Sequence, residues 1–93
     1  MTWVNLPKKL TYIPIEAFSG CVMLDNIIIP EFVTEIGDYA FKDCSGLSHI
    51  TLSENLENIK QQAFYGCNRL SKIFLPNSLK LVENQAFAYT ALT

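Results

Sequence analysis

The chain repeats itself with a step of 23 residues, and that period limits what it can fold into more than any other feature. Ala-Phe occurs at Ala17-Phe18, Ala40-Phe41, Ala63-Phe64 and Ala86-Phe87. Cysteine follows three residues after the first three phenylalanines, at Cys21, Cys44 and Cys67. Further apolar columns keep the same register: Leu24, Leu47 and Leu70; Ile27, Ile50 and Ile73; Ile29, Leu52 and Leu75; Ile13, Ile36, Ile59 and Val82. Pro7, Pro30, Ser53 and Pro76 punctuate the units. A fixed period of this length is the mark of a stacked-coil architecture, in which each unit contacts its neighbours and none has a core of its own.

Each unit reads as a strand of pattern Leu-x-x-Ile-x-Leu, a turn, a short extended piece ending at the Ile13, Ile36, Ile59 or Val82 position, and a tight turn carrying Ala-Phe. Alternation over Ile50, Thr51 and Leu52 points the first and third side chains inward and Thr51 outward. Strands are expected near residues 3–6, 26–29, 49–52 and 72–75, within a single domain spanning 1–93. The Ala-Phe segment is too short for an independent helix, so one helical or 3₁₀ turn is expected there. Stacked turns would form continuous ladders of Leu, Ile, Phe and Cys, and bulky phenylalanines opposite the strands would splay the coils into a curved body. Because 49% of the residues are hydrophobic and 17% charged, a disordered chain is excluded.

Residues Pro30 to Leu52 carry a further pattern: Pro30, Val33, Thr34, Ile36, Gly37, Ala40, Phe41, Cys44, Leu47, Ile50 and Leu52. This unit resembles the BspA-like, or Treponema pallidum-type, leucine-rich repeat family, and the likeness extends over essentially the whole chain. The resemblance implies a leucine-rich repeat solenoid: a right-handed superhelix with one parallel β-strand per repeat on the concave face and short helical or 3₁₀ turns outside. It also implies a cell-surface or secreted setting and adhesin-like binding of a protein ligand, such as a host extracellular or surface protein. Three positions depart from the pattern: Ser53 replaces a proline, Thr90 replaces a cysteine, and Leu92 stands one place before the leucine position.

Inward residues build the core, so recognition falls to the outward residues of the strands. These form two columns, Trp3, Asn26, His49 and Lys72, and Asn5, Ile28, Thr51 and Phe74. Trp3, Ile28 and Phe74 stand out, because clustered large apolar side chains on an exposed face mark interaction sites, although single exposed hydrophobes are ordinary. The only histidine, His49, lies beside Ser48 and near Thr51, but neither column holds a carboxylate to orient its ring, so no catalytic unit is assembled and no enzyme is expected. No metal site is expected either, since one histidine and three evenly spaced cysteines do not make a tetrahedral set. The cysteines read as buried, reduced thiols serving as small hydrophobes.

A formal charge of −2 with no basic stripe argues against nucleic acid, and no apolar run is long enough to span a membrane. No cofactor is expected. The N-terminus lacks the features of a secretory signal, and with neither end polar the chain is expected to be a segment of a longer repeat protein or to associate end to end. Two functions compete: a protein-interaction module acting through its concave sheet, and a structural spacer with no ligand of its own. The variation along Trp3, Asn26, His49 and Lys72 favours binding, because a spacer would leave those positions interchangeable.

Overall fold

The computed structural model describes residues 2–92, with side chains from Asn5 onward. Numbered in chain order, the strands are β1 (Thr2–Val4), β2 (Tyr12–Ile13), β3 (Leu24–Ile28), β4 (Glu35–Ile36), β5 (His49–Thr51), β6 (Asn58–Ile59) and β7 (Leu81–Val82). They form two parallel sheets, one ordered β1-β3-β5 and the other β2-β4-β6-β7. The first three coils each supply the expected concave strand, and the short extended piece of every coil pairs into the second sheet. The second sheet arises from the extended pieces ending at Ile13, Ile36, Ile59 and Val82, where Ile13 pairs with Ile36, Ile36 with Ile59 and Ile59 with Val82. Every one of these pairings joins residues one period apart, so the sequence repeat is also the spatial repeat.

Stacking buries the ladders. Ile13, Ile36 and Ile59, Leu24, Leu47 and Leu70, and Ile27 and Ile50 fill the interior with Val33, Leu56, Ala40 and Ala63. Phe18, Phe41, Phe64 and Phe87 stack face over face, with ring centroids 5.2, 5.2 and 5.3 Å apart and interplanar angles of 9°, 2° and 1°. Parallel rings at this spacing lie within the range for favourable aromatic pairing. The thiols form a second ladder with a polar purpose: Cys44 Sγ donates to Phe18 O at 3.0 Å, and Cys67 Sγ donates to Phe41 O at 3.1 Å. Each thiol thus fills a small apolar space and ties its coil to the preceding one. The neighbouring Cys44 thiol and burial together push the Cys67 thiol well above its ordinary pKa.

Cys21 departs from the expected burial. It is exposed, because no coil among the described residues precedes its own to cover it. Thr90, in the cysteine position of the fourth coil, does not reach back across the stack. Its Oγ1 donates to Phe87 O at 2.9 Å within its own turn. Ser53, in the proline position of the third coil, is buried; its Oγ lies 2.8 Å from Val33 O and 3.0 Å from Glu31 O, and accepts from the Asn55 N–H at 3.0 Å. A hydroxyl that links two coils and closes a turn accounts for serine at that place.

The outer side is not helical. Residues 38–43 of the second coil are a run of reverse turns, in which Ala40, Lys42 and Cys44 N–H groups bond back to Gly37, Tyr39 and Phe41 carbonyls. The alternate N–H groups, from Tyr39, Phe41 and Asp43, donate to Gln61, Ala63 and Tyr65 carbonyls of the next coil. A helical turn would keep all these donors for itself, so inter-coil bonding replaces the expected helical or 3₁₀ geometry. The pattern requires left-handed backbone at two places per coil: Glu16, Tyr39, Gln62 and Gln85 before the Ala-Phe pair, and Gly20, Asp43, Gly66 and Tyr89 after it. Gly37 meets a different demand, since an added Cβ would fall 2.7 Å from Ile13 O and 2.9 Å from Ile15 N. Its own N–H donates to that Ile13 carbonyl at 2.8 Å, so the close approach is part of the second sheet.

The fourth concave strand, expected near 72–75, is absent among the described residues. Within the sheet, Ser48 N–H bonds to Asp25 O at 3.1 Å and Ile29 N–H to Thr51 O at 2.8 Å. The corresponding bonds from Ser71 to Ser48 and from Leu52 to Phe74 are not made. That segment has a neighbouring coil on one side only, and its ladder residues are correspondingly less covered: Ile73 is half-buried and Leu75 exposed. The other three concave strands lie at or beside their expected places, at Thr2–Val4, Leu24–Ile28 and His49–Thr51.

Candidate binding face

The register of the first sheet aligns the outward columns. Trp3 pairs with Asn26 and Asn26 with His49, while Ile28 pairs with Thr51. Asn26, Ile28, His49 and Thr51 are exposed while Ile27 between them is buried, as the pleat of a half-buried strand requires. Asn5 is exposed next to the end of β1. The Trp3 side chain lies outside the described residues. Lys72 and Phe74 are exposed but lie beyond the hydrogen-bonded sheet, so the structure brings together the first three members of each column and leaves the fourth on an irregular segment.

Two of these residues expose much apolar surface. Ile28 is 62% and Phe74 91% accessible. Beside Ile28, the face dips into a depression of about 230 Å³ lined by Asn5, Leu6, Lys8, Asn26, Ile27, Ile28 and Pro30. Lys8, Lys9, Pro30, Glu31 and Phe32 line an adjoining depression along the rim. Lys8, Pro30 and Phe32 are therefore part of the accessible relief that the strand pattern does not single out. The available signal is positional, because all three follow the end of a concave strand within a few residues.

His49 Nδ1 lies 3.0 Å from Ser48 Oγ, and that hydroxyl also reaches Asp25 O at 3.3 Å. The pair is exposed, and Asp25 turns one carboxylate oxygen, Oδ1, into the body, where it is buried without a hydrogen-bond partner. Among the described residues no carboxylate hydrogen-bonds the His49 ring, and the Ser48 contact positions the imidazole on the face.

A second cluster occupies the outer side, and the strand pattern gives no hint of it. Lys42 Nζ sits 5.6 Å from the Tyr39 ring centroid and 5.5 Å from that of Tyr65, within cation–π range of both. Tyr65 meets Tyr89 edge to face at 5.1 Å. Lys42 and Tyr65 occupy one position of the period, which makes the cluster readable only once the outer turns are known to lie side by side.

Stacked coils with phenylalanine, thiol and isoleucine ladders define a leucine-rich repeat solenoid. The BspA type leucine rich repeat region profile (6 copies) matches residues 1–93, and the chain belongs to that family. It is similar to a leucine-rich repeat protein from Bacteroides ovatus, at 34% identity and TM-score 0.89, covering 95% of this chain and 25% of that one. It is likewise similar to one from Eubacterium ventriosum, at 31% identity and TM-score 0.93, covering 100% of this chain and 25% of the other. A leucine rich cell surface protein from Faecalibacterium prausnitzii is 35% identical with a TM-score of 0.79, over 84% of this chain and 21% of that protein. The chain thus spans about a quarter of the first two structures it matches. No curated protein matches it. Leucine-rich repeats generally serve as protein-interaction modules and are typically non-enzymatic, and BspA-type members are often surface or secreted proteins. No helix among the described residues is long and apolar enough to cross a membrane.

Proposed function

We propose that this chain is a protein-binding module acting through its concave face, within a cell-surface or secreted adhesin-like repeat protein. The observation that carries the reading is the exposure of Ile28 on a sheet face shared with Asn5, Asn26, His49 and Thr51, with Phe74 and Lys72 exposed on the irregular segment that follows it. Apolar side chains ringed by polar ones are the composition of a contact surface whose centre is dehydrated on binding. The cell-surface description of the Faecalibacterium prausnitzii relative supports the location, and weak contacts repeated along many coils would act together to give avidity.

The test is binding of the chain and of its Ile28→Ser, Phe74→Ser double variant to a panel of purified extracellular-matrix and cell-surface proteins. Both residues are exposed, so the variant is expected to keep the circular dichroism and melting temperature of the parent while losing about tenfold or more in affinity. Unchanged affinity for a ligand of the parent chain would refute the assignment. Failure of every protein on the panel to bind would favour the spacer.

End-to-end association of copies is a separate contact, supported by donors and acceptors that match across the two ends. Among the described residues, the Gln85, Phe87 and Tyr89 N–H groups have no backbone acceptor, and the Ile15, Ala17 and Ser19 carbonyls have no backbone donor. Pro14 opposes it, occupying the place where Gly37, Lys60 and Glu83 each donate to the preceding coil. A monomer at high concentration in light scattering would eliminate this contact.

A further inference from the structure

We infer that the concave face selects a partner segment that is acidic as well as apolar. This rests on the reading of that face as the binding surface and adds the chemistry of what it binds. The chain carries nine carboxylate side chains against seven lysines and arginines, yet the eight outward positions of the concave columns hold Lys72 and no carboxylate. Lys8 adds a second cation at the depression beside Ile28, and Lys9 joins it along the adjoining rim. Because the two depressions share Lys8 and Pro30, an apolar track from Ile28 over Pro30 to Phe32 runs beside both lysines.

Several of the carboxylates lie on the second sheet instead. Glu35 is in β4 and Asp38 follows it, while Glu57 and Glu83 flank β6 and β7 of the second sheet. There they take up the lysines of that side: Lys60 pairs with Glu83 at 3.4 Å and Lys80 with Glu57 at 3.9 Å. Asp25 belongs to a concave strand, but one of its carboxylate oxygens is turned into the body. Glu31 lines the lysine-bearing depression with Lys8 and Lys9, and Glu54, exposed one period on, follows the next concave strand. Lys8, Lys9 and Lys72 have no ionic partner among the described residues. Lys42 and Arg69 are likewise without an ion pair, but Lys42 is held over the outer Tyr39 and Tyr65 rings, whereas the outward columns of the concave face offer an acidic segment Lys72 and no carboxylate to repel it. That arrangement sets the orientation and selectivity of an encounter more than its ultimate strength.

The probe is a capped peptide of repeated Asp-Leu-Gly units, compared with the same peptide carrying Lys for Asp, by amide chemical-shift titration of the whole chain. The acidic peptide is expected to perturb Asn26, Ile28, Thr51 and Lys72 and to bind about fivefold or more tightly than the basic one, with the difference shrinking at high salt. Lys8→Glu with Lys72→Glu, both at exposed positions, is expected to reverse the preference without loss of fold. Equal binding of both peptides to the concave face, or a preference that survives the charge reversal, overturns the selection for acidic segments and leaves the binding face intact. Perturbations confined to the outer turns, or no binding by either peptide, overturn both.

Discussion

Replacing Phe41 by alanine probes the stack at its best-packed point. Phe41 is fully buried and has a parallel ring 5.2 Å away on each side, Phe18 and Phe64. Truncating a buried phenylalanine costs about 3–5 kcal/mol in lost transfer energy and residual cavity. Two broken ring pairs place Phe41→Ala toward the upper end of that range, since each pair contributes about 0.5–1.5 kcal/mol beyond its buried area. Phe87 is the control. It is half-buried and stacks on Phe64 alone, at 5.3 Å, so its removal is expected to cost roughly half as much on the same arithmetic. A small domain has about 5–10 kcal/mol in total, so Phe41→Ala should leave the chain at the margin of folding while Phe87→Ala stays folded with a lower midpoint. Urea titration followed by circular dichroism measures both. Equal losses for the two variants, or a loss below about 1 kcal/mol for Phe41→Ala, would refute the stacked-core reasoning.

Other substitutions test separate links of the same argument. Ser53→Ala removes a buried hydroxyl that lies between two carbonyls and accepts the Asn55 N–H, and is expected to cost about 1–3 kcal/mol in the same titration. Asp43→Gly relieves a left-handed residue at φ 60°, in a column where Gly20 and Gly66 already stand, and is expected to raise stability by about 0.5–1 kcal/mol; a loss would contradict the strain assigned to that turn. For the thiols, alkylation of the native chain followed by mass spectrometry should label Cys21 alone, and slowly, since burial and then the charge of Cys44 raise its pKa. Cys44 and Cys67 should react only after denaturation, and equal rates for all three would show that the thiol ladder is open to solvent.

Most of the interior could be read from the period, because side chains one period apart must lie over one another in a stacked coil and apolar ones must therefore form ladders. That reasoning places Phe41 and Phe64, Ile36 and Ile59, and Leu47 and Leu70 in one core, and it aligns Asn26 with His49 and Ile28 with Thr51. It fails where a residue's environment depends on having neighbours on both sides. The 72–75 segment and Cys21 keep the pattern in sequence but lack a covering coil among the described residues. It also fails at the Ala-Phe turns, where side-chain pattern says nothing about which N–H groups bond within the turn and which cross to the next coil. Left-handed backbone at Glu16, Tyr39, Gln62 and Gln85 is hard to anticipate, because none of these is glycine or asparagine. Lys8 escapes the column analysis because it follows the strand that supplies the columns.

The alignment of residues one period apart is tested most directly by aromatic nuclear Overhauser contacts in a chain with selectively labelled phenylalanine. Contacts are predicted from Phe18 to Phe41, Phe41 to Phe64 and Phe64 to Phe87, with none from Phe18 to Phe64. Absence of the three neighbouring contacts, or their replacement by contacts that skip a coil, would contradict the stacked architecture and with it the proposal that the concave face binds a partner.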